Sequence, residues 1–186
     1  MDTPITGVCL DLNIWVADFL ARRAHRRGTA ARVLVDMVRD GACGLGPVQL
    51  VISWGMLERL HLVLMRTFAV APDAAQDAIN AIATVARKGP RGTPPYVLLG
   101  GTGVIALRDT EDRGVLETAF AGRAGVLVTH NFKDFLGNDA RVVRAGSVAI
   151  VHQGARRVIV ATPGVMLEWA ASGRIDADIE FHGQDT

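Results

Sequence analysis

A chain of 186 residues, 49% hydrophobic and 21% charged, has the composition of a soluble globular protein and the length of one domain with a substantial core. A formal net charge of +1 gives no global sign of nucleic-acid binding, and an aromatic content of 5% disfavours a protein that stacks bases on aromatic platforms. Two cysteines favour a reducing compartment, and neither a membrane-spanning run nor a signal peptide is visible, so we expect a cytoplasmic protein.

Apolar runs alternate with helical periods along the whole chain. The expected strands are residues 8–10, 49–52, 104–107, 125–128, 148–151 and 158–160. The expected helices cover residues 14–39 with a break at Gly28, a segment capped by Ser53, residues 72–88, residues 111–120 and a last segment opened by Thr162 and Pro163. This alternation predicts a single three-layer α/β/α domain with a mostly parallel central sheet. Its core spans about residues 8–171, with a peripheral tail at 172–186.

Polar side chains follow four of these predicted strands. Ligands of open parallel sheets bind at the carboxyl ends of the strands. The residues in question are Asp11 after the first strand, Glu58 in the helix after the second, Asp109 and Asp112 after the third, and Asn131 and Asp134 after the fourth. Carboxylates gathered at one edge repel one another unless cations compensate, and Mg²⁺ and Mn²⁺ favour such oxygen ligands. Zinc is a poor match, because the five histidines show no paired ligand spacing.

Each of these residues also has an ordinary structural explanation. Asp109 or Thr110 could cap the next helix, and Asp112 suits the first turn of that helix. Glu58 and Asp134 could be exposed surface acids, and Asn131 is an adequate turn residue. Asp11 is harder to explain structurally, because it follows an apolar strand directly. The joint pattern therefore carries more weight than any one member.

Four segments resemble PIN domains, the metal-dependent ribonucleases that are common as toxins in toxin–antitoxin modules. They are VCLDLNIWVADFL, VISWGMLERL, DTEDRGVLETAFAGRAGVLVTHNFKDF and TPGVMLEWAA. Their order and spacing fit over about residues 8–171, and VLVTHNFKDF after DTEDRGVLETA is the most specific part. The segment around residues 72–95 has no counterpart in this resemblance.

The resemblance implies a site and an activity. Its acidic core would be Asp11, Glu58 and Asp112, with either Asn131 or Asp134 as the fourth ligand. Asn13 and Thr129 match positions that orient the acids or contact the phosphate, and Asp109 would support the site or cap a helix. The implied chemistry is RNA phosphodiester hydrolysis with one or two Mg²⁺ or Mn²⁺ ions.

An arginine-rich stretch suits an anionic partner. At helical spacing, Arg22 with Arg26 and Arg23 with Arg27 would form two i,i+4 pairs on one flank. Such a flank could contact RNA, dock the acidic tail of an antitoxin, or simply be solvated.

The chain also contains three tryptophans. Trp15 and Trp54 could stack on a base, close a dimer interface or pack in the core, and Trp169 is expected to anchor the last helix.

Other functions share part of this pattern. A haloacid-dehalogenase-like phosphatase would use Asp11, Ser53 and the late acids, but it needs a second aspartate where this chain has Asn13. A degenerate PIN-like binding module is favoured by Asn131 in place of an acid. A DNA-directed nuclease of the same fold is equally compatible with these residues. A homodimer is the default assembly.

Overall fold

The computed structural model describes residues 4–96 and 110–176. Its strands are β1 (Thr6–Leu10), β2 (Ala42–Cys43), β3 (Gly46–Val51), β4 (Val126–Val128), β5 (Ala140–Arg144), β6 (Val148–Gln153) and β7 (Arg156–Ala161). Its helices are α1 (Leu12–Arg23), α2 (Ala30–Asp40), α3 (Trp54–Arg66), α4 (Pro72–Lys88), α5 (Thr110–Ala121) and α6 (Pro163–Ser172), with a short 3₁₀ helix at Phe132–Phe135.

One sheet connects all the described strands, in the order β2-β3-β1-β4-β7-β6-β5. The four strands β3, β1, β4 and β7 are mutually parallel, and the antiparallel pairs β2–β3, β7–β6 and β6–β5 lie toward the two sides. Parallel strands are buried on both faces and therefore read as continuous apolar runs. Val8, Cys9 and Leu10 of the central strand β1 are all fully buried. The predicted mostly parallel α/β architecture is confirmed.

Helices cover both faces of this sheet. The side chain of Gln49 in β3 donates a hydrogen bond to the Ala86 carbonyl of α4, so this face of β3 is covered by α4. Neighbouring residues of a strand point to opposite faces of the sheet. The opposite face of β3 is covered by α2, which also packs against α1 and α6. Within the described residues, no helix is long and apolar enough to cross a membrane.

The break between α1 and α2 shows how local sequence ends a helix. After Arg23 the chain turns at His25 and Gly28, which have positive φ angles of 53° and 72°. Thr29 then caps α2 by accepting a hydrogen bond from the Arg32 backbone N–H. The predicted break at Gly28 is confirmed. The predicted helical pairing of Arg22 with Arg26 and of Arg23 with Arg27 is wrong, because the helix ends before Arg26.

Two strands were not predicted, for physical reasons. β2 has only two residues, and β5 is an edge strand whose side chains are largely exposed, so neither presents a buried apolar run. The strand predicted at 104–107, and Asp109 after it, lie outside the described residues. The helix predicted at 72–88 matches α4 from its first residue, a proline, to its last.

Candidate metal and nucleic-acid site

Three adjacent parallel strands deliver polar side chains to the same edge of the sheet. Asp11 follows β1, Ser53 follows β3 and Thr129 follows β4. Asp11 and Ser53 are also the N-caps of α1 and α3, which therefore begin at this edge. Helix N-termini carry partial positive charge and favour anions. The edge thus combines a carboxylate with two helix ends suited to phosphate.

Asp11 is held by a dense set of hydrogen bonds while being only 5% exposed. Its Oδ1 accepts the Leu12 backbone N–H at 2.6 Å, and its Oδ2 accepts the Asn13 amide at 2.6 Å. The Thr129 hydroxyl also donates to Oδ2, at 2.7 Å, and the Asp11 backbone N–H donates to the Val128 carbonyl. A buried carboxylate with this many donors has one fixed orientation.

Asn13 and Thr129 connect Asp11 to the loop after β4. The Asn13 amide lies 3.2 Å from the Thr129 hydroxyl oxygen, and its Oδ1 accepts the His130 backbone N–H at 3.2 Å. Thr129 also accepts the Asn131 backbone N–H at 2.9 Å. These two side chains therefore fix both the carboxylate and the backbone that carries Asn131. That arrangement agrees with the orienting role that the resemblance assigns to them.

The other two acids lie on helices that pack together. Glu58 is an exposed residue of α3, five positions past its cap Ser53, and Asp112 is a half-buried residue in the first turn of α5. The hydroxyl oxygens of Ser53 and Thr118 lie 2.9 Å apart in the buried contact between α3 and α5. Thr118 is not among the residues predicted from the sequence. The sequence feature that could have identified Thr118 is a hydroxyl side chain on the apolar face of the predicted helix.

The possible fourth ligands lie at the start of the 3₁₀ helix after β4. Asn131 occupies its N-cap position, but the Asn131 side chain makes no capping hydrogen bond and is exposed. Asp134 is exposed in the same turn, and its backbone N–H donates to the Asn131 carbonyl at 3.0 Å. Both side chains therefore face solvent close to the chain position fixed by Thr129.

The type of ligand atom at this site, oxygen, suits a hard divalent cation. The side chains of Asp11, Asn13 and Thr129 offer oxygen atoms, and hydrogen bonds hold the Asp11 carboxylate in one position without an ion. Within residues 4–96 and 110–176, no three acidic, histidine or cysteine side chains lie together as a complete metal cage. Mg²⁺ does not need such a cage, since one or two carboxylates, waters and substrate phosphates are its usual ligands.

Cys9 lies two residues before Asp11, but its thiol is unreactive. Burial first, and then the negative charge of Asp11, raise the pKa of the Cys9 thiol far above its ordinary value. The thiolate is the form that ligates metals and attacks electrophiles. Cys9 is therefore a core residue of β1 and takes no part in the site.

The arginine-rich stretch is divided between structure and surface. Arg22 donates to Asp18 at 2.8 Å and to Asp36 at 3.0 Å, and its hydrogen bond with Asp18 is the main cause of its raised pKa. Asp18 is buried, so Arg22 compensates its charge and ties α1 to α2. Arg23 reaches the Phe68 carbonyl, whereas Arg26 and Arg27 are exposed beyond the helix end.

The three tryptophans differ in how far they are buried. Trp15 is buried and donates its indole N–H to the Leu10 carbonyl, and Trp169 is 1% exposed in the core, as predicted for a packing anchor. Trp54 is 39% exposed in the first turn of α3, beside the candidate site.

We expect the hydroxyl contact between Thr118 and Ser53 to stabilise the helix pair that carries the acids. Thr118→Val removes a buried hydroxyl that contacts both Ser53 and the Gly114 carbonyl, and should cost about 1–3 kcal/mol of unfolding free energy. Urea unfolding measures it. Thr84→Val is the matched control, because Thr84 makes the same bond to the carbonyl four residues earlier on an exposed helix face. Equal losses in both variants would show that the Ser53 contact contributes nothing.

The fold and this edge define a three-layer α/β/α domain with its polar site at the carboxyl ends of the central parallel strands. A family model of the PIN domain matches residues 7–133, which is more than half of the chain. The chain belongs to the PIN-domain family, whose members are generally nucleases. The match includes Asp11, Glu58, Asp112 and Asn131 and ends one residue before Asp134. Comparisons with curated proteins and with solved structures found no match.

Proposed function

We propose that this protein is a metal-dependent endoribonuclease, and that it acts as the toxin of a toxin–antitoxin pair. The observation that supports the nuclease most strongly is the buried Asp11 carboxylate, which is fixed at the carboxyl edge by Leu12, Asn13 and Thr129. Fixing a carboxylate so firmly next to two helix N-termini is what a site for a cation and a phosphate requires. Family membership makes a nuclease the expected class.

In this proposal Asp11 and Asp112 would hold one or two Mg²⁺ or Mn²⁺ ions, with Glu58 and either Asn131 or Asp134 completing the ligands. When bound, the metal would supply Lewis-acid stabilisation of the phosphate and a water of lowered pKa. Asn13 and Thr129 keep Asp11 in one orientation throughout. The buried apolar residues beneath Asp11 exclude water from one side of the site, so the phosphate approaches from the solvent side.

Exposed arginines suggest the substrate and partner, and they lie at the far end of α1, about 18 Å from this edge at ~1.5 Å per residue over its 12 residues. Arg23, Arg26 and Arg27 offer phosphate contacts or a surface for an acidic antitoxin segment. Arg22 is engaged with Asp18 and Asp36, so it would contribute little to either. Trp54 is exposed beside the cap of α3 and could stack on a base or lie in a homodimer interface.

The decisive experiment is cleavage of a mixed pool of single-stranded and structured RNA with Mn²⁺, with Mg²⁺ and with EDTA. We expect cutting with either metal and none with EDTA. The variant Asp112→Asn should lose cutting while keeping the circular dichroism spectrum of the wild type. A DNA pool in parallel tests the sugar specificity. Cutting that persists in EDTA would contradict the metal-dependent mechanism.

A catalytically inactive PIN-like binding module is the second possibility. It is favoured by Asn131, which adds no charge where an acid would strengthen metal binding. Calorimetry separates the two, because an inactive module should bind Mn²⁺ weakly or not at all. Absence of both cleavage and Mn²⁺ binding in the wild-type protein would favour the inactive module.

A further inference from the structure

A group of arginines surrounds a cleft at the edge of the sheet opposite to the candidate active site. The amino-terminal ends of β1, β4 and β7 meet there around a cavity of about 310 Å³. Arg91, Arg123 and Arg157 line it. A neighbouring hollow of about 350 Å³ shares Arg123 and Arg157 and adds Arg156. We call this surface the basic cleft, defined by these four arginines.

The arginines of the basic cleft are positioned by the backbone of rigid elements. The Arg91 guanidinium donates a hydrogen bond to the Ile5 carbonyl at 2.9 Å, and the Arg91 backbone N–H donates to Oε1 of Gln49. Arg123 lies in the tight turn after α5, with a φ angle of 50°. Arg156 begins β7 directly after the hairpin from β6. Positions fixed in this way lower the entropy cost of binding an anion.

The charge of the basic cleft is concentrated and accessible. Arg91, Arg123 and Arg156 are exposed, and none of them forms a salt bridge with another residue of the described part of the chain. Among the described residues, no acid lines either hollow. The whole chain carries a formal net charge of only +1, so this positive charge is locally segregated. A segregated basic surface attracts polyanions.

The chemistry of the lining favours a phosphate backbone over a peptide. Guanidinium groups match phosphate and carboxylate oxygens alike in planar, bidentate geometry, so the preference for phosphate comes from the apolar lining and from the place of the cleft in the fold. Ile5, Ile159 and Ile175 contribute apolar surface to the lining of the cavity, and apolar side chains cannot read the hydrogen-bonding groups of base edges. The cleft also lies at strand ends, where an acidic peptide finds no row of backbone groups to extend the sheet.

We infer that the basic cleft binds the sugar–phosphate backbone of RNA, without base specificity, as a second contact remote from the cleavage site. The choice of RNA rests on the proposed function. The five residues of β1 separate the two edges by about 17 Å at ~3.4 Å per residue. Only an RNA long enough to pass around the domain reaches both surfaces, so the basic cleft selects for long substrates.

Fluorescence anisotropy with a labelled long single-stranded RNA in EDTA tests this inference without any contribution from metal or cleavage. Arg123→Glu combined with Arg156→Glu should weaken binding at least about tenfold and lower the slope of log Kd against log salt by about 1.4, or ~0.7 for each lost phosphate contact. The matched control is Arg66→Glu combined with Arg141→Glu, which removes the same charge from exposed positions of α3 and β5. The control should bind RNA nearly as the wild type does.

Two further measurements distinguish this inference from the proposed function. The Asp11→Asn variant should retain its RNA affinity in EDTA, whereas the Arg123→Glu and Arg156→Glu double variant should still cut a hexanucleotide at the wild-type rate. Equal RNA affinities for the cleft variant and its control would overturn the inference. So would a cleft variant that keeps RNA binding but loses binding of polyglutamate, because that result assigns the cleft to an acidic protein partner.

Discussion

Asp11→Asn is expected to reduce RNA cleavage by more than ~100-fold, the upper range for removing residues that merely support a metal ligand. The change removes the negative charge that hydrogen bonds from Leu12, Asn13 and Thr129 fix at the carboxyl edge of the sheet. Because one side-chain oxygen is kept, the α1 cap can survive. The measurement is the initial rate of RNA cleavage with Mn²⁺, at protein concentrations where folding is verified by circular dichroism.

The same substitution carries a stability cost that must be separated from its effect on catalysis. Both Asp11 oxygens accept hydrogen bonds, from Leu12 on one side and from Asn13 and Thr129 on the other. Whichever way the introduced side-chain amide is turned, one of its N–H groups faces another donor. A buried mismatch of this kind costs about 1–3 kcal/mol. Lost cleavage in Asp11→Asn alone would therefore be ambiguous.

A swapped variant resolves the ambiguity. In Asp11→Asn combined with Asn13→Asp, the amide at position 11 donates to the carboxylate at position 13, which also accepts the His130 backbone N–H. Every donor regains an acceptor and the net charge is unchanged. We expect unfolding free energy close to that of the wild type and cleavage as low as in Asp11→Asn. Restored cleavage would show that the site needs a charge in the network and does not need it at position 11.

Sequence reasoning located the strand ends well because strong local signals determine them. An apolar run followed by an acid placed Asp11 after β1, and a serine before a helical period placed Ser53 at the start of α3. The same signals failed where tertiary contacts decide. The spacing of Arg22 and Arg26 suggested one continuous helix surface, yet α1 ends at Arg23 and the chain turns at His25, between the two arginines.

The partners of Arg22 explain a second limit of sequence reasoning. The stretch between Asp18 and Asp36 contains no acid, which made its arginines look available. In the fold, the two bounding acids converge on Arg22 from two helices. The basic cleft shows the reverse: Arg91, Arg123 and Arg156 are far apart in sequence, and only the sheet brings their strand and helix ends together. Charge patterning along a chain does not report charge patterning on a surface.

Trp169→Ala is expected to lower the free energy of unfolding by about 3–5 kcal/mol, the range for removing a large aromatic side chain from a core. Trp169 is 1% exposed on α6, which packs against α2. Natural domains have only about 5–15 kcal/mol of stability, so the loss is a large fraction of the total. Urea unfolding followed by far-ultraviolet circular dichroism measures it without relying on tryptophan fluorescence. Trp54→Ala is the matched control and should cost less than ~1 kcal/mol, because Trp54 is 39% exposed.

Trp169→Phe distinguishes packing from hydrogen bonding at the same position. The Trp169 indole N–H is buried and finds no acceptor among the described residues, and a buried donor without an acceptor costs about 1–3 kcal/mol. Phenylalanine removes that donor while keeping most of the aromatic packing, so the two effects offset each other. We expect a net change below ~1.5 kcal/mol, in the range of shape-tolerant apolar exchanges. A loss as large as that of Trp169→Ala would show that the indole N–H has an acceptor in solution. In that case the hydrogen bond of the indole N–H would explain why position 169 holds tryptophan. A small loss would instead show that Trp169 stabilises the fold by filling the space between α6 and α2.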